Sequence, residues 1–161
     1  MSSVTDEIII ELPHAQVWER LRDLSKAHYY VPGILSCRMD TEQKEGIGAS
    51  RTVNPKNMAP LQETVTEWIE GRRVVINLHR GAKPMAPFKS AEFIYEIEAI
   101  DAARTRLKPA MRYEIGGGIF GALLDRLLMR RAFQKNVHAV ATHLKRFYET
   151  GQPSNPDFKS A

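Results

Sequence analysis

The stretch GGGIFGALLDRLLMRRAFQKNVHAVATHLKRFYETG, residues 116–151, decides the fold. Its apolar residues fall at Phe120, Leu123, Leu124, Leu127 and Leu128, then at Phe133, Val137, Val140, Leu144 and Phe147, steps of three and four that mark one face of a helix over 119–150. Asp125, Arg126, Arg130, Lys135, Lys145 and Glu149 occupy the other face. About thirty helical residues at roughly 1.5 Å each reach about 45 Å, long enough to cross a whole sheet. The stripe slips between Leu128 and Phe133, so its first half is expected to border a pocket and its second half to close the core. The glycine run Gly116, Gly117, Gly118 has no Lys-Ser/Thr after it and no parallel-strand pattern around it, so it reads as a flexible lead into the helix rather than a phosphate cradle.

Upstream of the helix the chain is a series of strands. Glu7 to Leu12 (EIIIEL) is short, β-branched and stopped by Pro13, which then suits the first turn of a helix. In that helix Val17, Trp18, Leu21 and Leu24 share one face. SKAHYYVPG, residues 25–33, breaks the pattern and reads as a loop or a short second helix. Six strands follow. Two flank the polar turn around Gly46-Ile47-Gly48, and Leu61 to Glu70 and Arg73 to Leu78 form a hairpin about Gly71. In the last pair Phe93, Tyr95 and Ile97 alternate with Glu92, Glu96 and Glu98, and Leu107, Met111 and Tyr113 alternate with Arg106, Lys108 and Arg112. Each of these strands has one apolar and one charged face, and the acidic face of one can pair with the basic face of the next.

The order is therefore α+β: a curved, seven-stranded antiparallel sheet around a long C-terminal helix, with two short helices between strands 1 and 2. A sheet of seven strands about 4.8 Å apart is roughly 30 Å wide and curls. One helix is too narrow to fill that concavity, and the space left between them is a default ligand site.

Composition sets the outer limits. With 161 residues, 43% hydrophobic and 26% charged, the chain suits one domain over residues 1–150, and GQPSNPDFKSA (residues 151–161) reads as a loosely ordered tail. No apolar run approaches a membrane span, and Asp6 and Glu7 before the Ile8–Ile10 run do not have a signal-peptide layout, so a cytoplasmic location is expected. The lone Cys37 permits no internal disulfide and no cysteine-cluster metal site. His138 and His143, five residues apart, stand about 140° apart around a helix, so no metal site is expected and no cofactor is implied. A net charge of +4 without any basic block makes the alternating Arg104, Arg106, Lys108, Arg112 cluster a solvated outer face, with a docking patch for an anionic partner as its rival; nucleic acid is not an expected partner.

Residues 4–150 resemble the SRPBCC superfamily, also called START-like or polyketide cyclase/dehydrase-like. The resemblance rests on EIIIELPHAQVWERLRDLSKAHYYVPGILSCRM, on GASRTVNP…LQETVTEWIEGRRVVINL and on the closing helix. It implies a helix-grip fold with a mainly apolar tunnel for lipids, polyketides or other hydrophobic ligands, in a superfamily that includes carriers, aromatase/cyclases and interaction proteins. A fold-level likeness does not choose among these.

The residues themselves propose a wall. Val65, Ile76, Phe93, Tyr95, Met111, Tyr113, Leu124 and Leu127 are expected to line the cavity, with Arg51 or Glu63 orienting a ligand. Glu63 shares a strand phase with Leu61, Val65 and Ile69, but also with Glu67. Either that face turns outward and Trp68 points in, or one of the glutamates sits at the rim. Arg51 faces the cavity or solvent by the same uncertainty of phase, and either tyrosine serves the cavity or plain core packing. Three functions stay open: binding of a hydrophobic small molecule, polyketide cyclase or dehydratase chemistry with Glu63 or Tyr95 as proton donor or acceptor, and docking through the basic sheet face.

Overall fold

Alternation along the strands and helical spacing in the final segment produce a sheet and the helix it wraps. The computed structural model describes residues 1–118, 121, 123 and 128–159. Strands β1 (Ser2–Thr5) and β2 (Ile8–Ile10) precede helix α1 (His14–Leu21), a 3-10 turn (Leu24–Lys26) and α2 (Ala27–Tyr30). Then come β3 (Ile34–Met39), β4 (Ser50–Pro55), β5 (Leu61–Ile69), β6 (Arg73–Arg80), the two-residue β7 (Lys83–Pro84), β8 (Phe88–Ala99), β9 (Thr105–Ile115) and helix α3 (Arg130–Thr150). The antiparallel sheet runs β1-β9-β8-β6-β5-β4-β3, seven strands across, with β2 also on β9 and β7 on β6.

The opening strand differs from its sequence reading. It begins at Ser2 and is split, so the short helices follow β2 rather than a single first strand. Both pieces keep one register on β9, with Thr5 opposite Ala110 and Ile8 opposite Leu107. The break falls opposite Pro109, whose carbonyl accepts from Asp6 N at 3.0 Å but which has no N–H to return.

Along β5 a bulge resolves the conflict of phase. Val65 pairs with Ile76 and Glu67 with Val75, so Thr66 is the extra residue. Before it Leu61, Glu63 and Val65 point to the concave side; after it Trp68 packs toward the core and Glu67 turns out to meet Arg73 at 2.9 Å. Ile69 is left exposed. The charged faces of β8 and β9 pair as expected: Arg106 to Glu98 at 3.0 Å and Arg112 to Glu92 at 2.6 Å.

Helix α3 presents Val137, Val140, Leu144 and Tyr148 to the sheet, all buried. It ends at Gly151, whose φ of 71° lets its N–H reach Phe147 O at 2.8 Å. The first half of the predicted stripe is only partly described; Phe120, Leu124 and Leu127 lie outside the described residues, and Leu123 and Leu128 are exposed rather than inward. No helix among the described residues is long and apolar enough to cross a membrane.

The C-terminal tail, for which two prolines suggest loose order, is instead tied down through residue 158. Asn155, 5% exposed, donates from Nδ2 to His28 O and Ile34 O, both at 2.8 Å. Phe158 stacks beside His28 and Tyr29. Composition reports only local propensity, whereas these partners are more than a hundred residues away.

Two tryptophans from distant segments share one carboxylate. Trp18 Nε1 donates to Glu70 Oε1 at 2.8 Å and Trp68 Nε1 to Glu70 Oε2 at 2.9 Å, while the two rings meet edge to face at 5.1 Å. The hairpin turn is thereby fastened to α1. Hydrogen bonds from Trp68 and Trp18 hold the Glu70 carboxyl below its ordinary pKa of 4.5. A depressed carboxyl pKa gives stability that is present above the unfolded value and lost as pH falls through the folded one. Glu70→Gln is therefore expected to lower the melting temperature by a few degrees at pH 7. The gap to the wild type should shrink as pH falls below 4.5, measured by thermal circular dichroism across pH.

Candidate functional site

Between sheet and helix the interior divides into two apolar clusters. One gathers α1, Val74, Ile97 and Leu144; the other gathers Val4, Val53, Phe88, Tyr113 and Val137. The space separating them is a cavity of about 460 Å³. Its volume lies toward the lower end of the range that holds one small ligand. Ile76 and Tyr95 reach it from the first cluster, and Leu61, Leu78, Met85 and Met111 from the second. The segment Val31–Ile34 and the loop Lys56–Met58 line its mouth.

At one side of this apolar space sits an ion pair. Arg51 on β4 and Glu63 on β5 stand directly opposite each other in the antiparallel register. Arg51 Nε donates to Glu63 Oε2 at 2.6 Å, with the side chains 4% and 13% exposed. A terminal nitrogen of the same guanidinium donates to the Leu24 carbonyl. Arg51 therefore ties the helical layer to the sheet. Burial disfavours its charge, but the Glu63 carboxylate and the neighbouring Tyr30 outweigh burial and raise its pKa overall.

Tyr95 extends this polar edge. Tyr30 lies close behind it, outside the cavity wall. Burial pushes both phenols above their ordinary pKa, Tyr95 further, and the approach of Tyr30 adds to the shift. Both hydroxyls stay protonated at neutral pH.

Of the residues expected to line the wall, Arg51, Glu63, Ile76, Phe93, Tyr95 and Met111 all border the cavity. Val65 does not; it is 2% exposed within the core, one alternation past Glu63 where α1 and the helical layer cover the sheet. Tyr113 is fully buried between Phe88 and Phe133, with ring centroids at 5.9 and 4.6 Å, and its ring fills core rather than facing the space. Leu124 and Leu127 lie outside the described residues. The helix meets the cavity with Ala132, Phe133, Asn136 and Val140, so the half of the stripe expected only to close the core also borders the pocket. Leu61 and Leu78 share the strand phases of Glu63 and Ile76, and Asn136 the helical phase of Phe133 and Val140, so each is open to detection by that signal; Met85 carries none.

A curved antiparallel sheet closed by one long helix over a lateral cavity defines a helix-grip protein. Residues 1–149 match the family described as polyketide cyclase / dehydrase and lipid transport, and the chain belongs to it. No curated protein matches the chain by sequence. Among solved structures, a protein from Thermus thermophilus is similar at 21% identity, with a TM-score of 0.72 over 93% of this chain and 99% of that one. A START superfamily protein from Mycobacterium smegmatis is 13% identical, with a TM-score of 0.69 over 93% of this chain and 99% of its own. Norcoclaurine synthase from Thalictrum flavum, in complex with dopamine and hydroxybenzaldehyde, is 9% identical, with a TM-score of 0.68 over 91% of this chain and 85% of its own. At such identities the likeness is one of fold.

Removing one member of a buried ion pair leaves the other charge unpaired, which costs more than replacing both by apolar groups. Arg51→Met is expected to destabilise the protein by about 3–5 kcal/mol, and the double variant Arg51→Met/Glu63→Leu to recover most of that loss. Urea unfolding of the three proteins measures both.

Proposed function

We propose that this protein binds one small, largely apolar molecule in the cavity between sheet and α3, with its polar end at Arg51, Glu63 and Tyr95. The observation that carries this reading is a cavity of about 460 Å³ walled by Ile76, Leu78, Phe93 and Met111 and bearing the buried Arg51–Glu63 ion pair. Apolar burial, at about 25 cal/mol per Å² before ordering costs, would supply most of the affinity. The ion pair would fix which way the ligand lies. The family description, which joins cyclases with lipid transport, supports a hydrophobic ligand without selecting one.

Filling the space tests this. Val140 is 1% exposed yet borders the cavity, so Val140→Trp would project into it from the helix. The expected outcome is a folded protein that loses at least tenfold in affinity for whichever small molecule travels with the wild type in native mass spectrometry. Unchanged occupancy in a folded Val140→Trp protein would overturn the reading.

A second reading rests on the proton-bearing groups along the same edge. Glu63 has one oxygen engaged by Arg51, and Tyr95 is buried on the same wall. In a cyclase or dehydratase acting on a polyketide-like substrate, Glu63 would accept a proton and Tyr95 would donate one. For that reading Glu63→Gln should abolish turnover of a poly-β-ketone substrate while leaving its binding within a few-fold. Turnover equal to the wild type would rule out Glu63 as the base.

A further inference from the structure

The cavity lining contains three charged side chains among the described residues, and each is already paired. Arg51 and Glu63 cancel each other inside at 2.6 Å. Lys56, at the mouth, meets Asp157 at 2.8 Å. Asp157 is not part of the region that matches the family, which ends at residue 149. It comes from the tail, held in place by Asn155 and Phe158, and its other oxygen accepts from Gly33 N at 3.2 Å. One carboxylate thus neutralises the mouth lysine and holds the neighbouring Gly33, whose carbonyl accepts from Lys56 N at 2.8 Å.

We propose that the cavity selects neutral ligands carrying a hydrogen-bond donor, and that Asp157 of the C-terminal tail sets this selectivity at the mouth by cancelling Lys56. This rests on the binding reading above and adds the charge class of the ligand. An anionic head placed at Arg51 would leave two carboxylates around one guanidinium in an apolar space, and a cationic head at Glu63 would leave the reverse imbalance. Either excess charge is disfavoured where water is excluded. A neutral donor escapes both penalties, because Glu63 Oε1 has no protein partner among the described residues and can accept from it. Phenols, enols, alcohols and arylamines fit this description; fatty-acid carboxylates and quaternary amines do not.

Two fluorescent probes with one ring skeleton separate charge from size: neutral N-phenyl-1-naphthylamine, which carries an N–H donor, and anionic 8-anilinonaphthalene-1-sulfonate. The wild type is expected to bind the neutral probe at one site at least tenfold more tightly than the sulfonate. Asp157→Asn keeps an oxygen for Gly33 N–H but frees the lysine charge. It should raise sulfonate affinity about three- to fivefold, the modest scale of a half-exposed ion pair, with the neutral probe unchanged. The gain should vanish in the double variant Lys56→Met/Asp157→Asn, which distinguishes lost charge from a loosened tail. Equal binding of the two probes by the wild type would overturn the selectivity, and an Asp157→Asn protein with the wild-type ratio would overturn the role of the tail. Uptake of neither probe would instead overturn the cavity-binding reading, and this inference with it.

Discussion

An arginine buried against an apolar cavity is the constraint around which this structure is arranged. Arg51 is 3% exposed, and the effective penalty for taking such a charge out of water is several kcal/mol. It is tolerated because three elements meet it: β4 carries it, β5 brings Glu63 into direct register opposite it, and the 3-10 turn supplies the Leu24 carbonyl. The same contacts fasten the helical layer to the sheet along the inner wall of the cavity. An apolar pair of similar volume would stabilise the fold at least as well. What such a pair would not supply is a polar pole in the cavity wall, the feature on which the proposed binding mode rests.

That pole depends on a local irregularity. Strict alternation along β5 would turn Glu63, Val65, Glu67 and Ile69 to the same side, burying two carboxylates where the sheet meets α1. The bulge at Thr66 ends the alternation after Val65. Trp68 then replaces Glu67 on the inner face and packs against Trp18, while Glu67 finds Arg73 outside. One inserted residue lets a single strand serve the cavity with its first half and the helix-packed core with its second. Glu70, bonded to both indoles, fixes the end of that second half.

Much of this is legible in the amino-acid sequence. Strict period-two patterns on β8 and β9 name Phe93, Tyr95 and Met111 as inward and the Glu/Arg ladder as outward, because those strands are long and pair without interruption from Ser90 to Ala99. Helix α3 is legible from Phe133 onward for the same reason. Three features are not. A bulge leaves no mark in hydrophobic alternation except an apparent contradiction, which is what Glu63 and Glu67 presented. The split of the opening strand falls opposite Pro109, a residue on the paired strand and more than a hundred positions away in sequence. The tail is ordered by carbonyls of α2 and β3 that no local pattern near Asn155 can reveal.

Fold likeness and site chemistry therefore separate cleanly in this protein. At 9–21% identity the related structures share with this chain a sheet gripping a helix, and the likeness stops at the fold. A cavity is a consequence of that architecture, since one helix cannot fill a seven-strand concavity. Its charge pattern is not, because it depends on side chains that the fold leaves free to vary. Here the pattern is neutral by pairing: one pair is internal to the sheet, and the other is completed by a tail lying past the part of the chain that the family defines. Any occupant of the cavity has to respect that balance, because in an apolar space the penalty for an unmatched charge exceeds the gain from any single apolar contact in the wall.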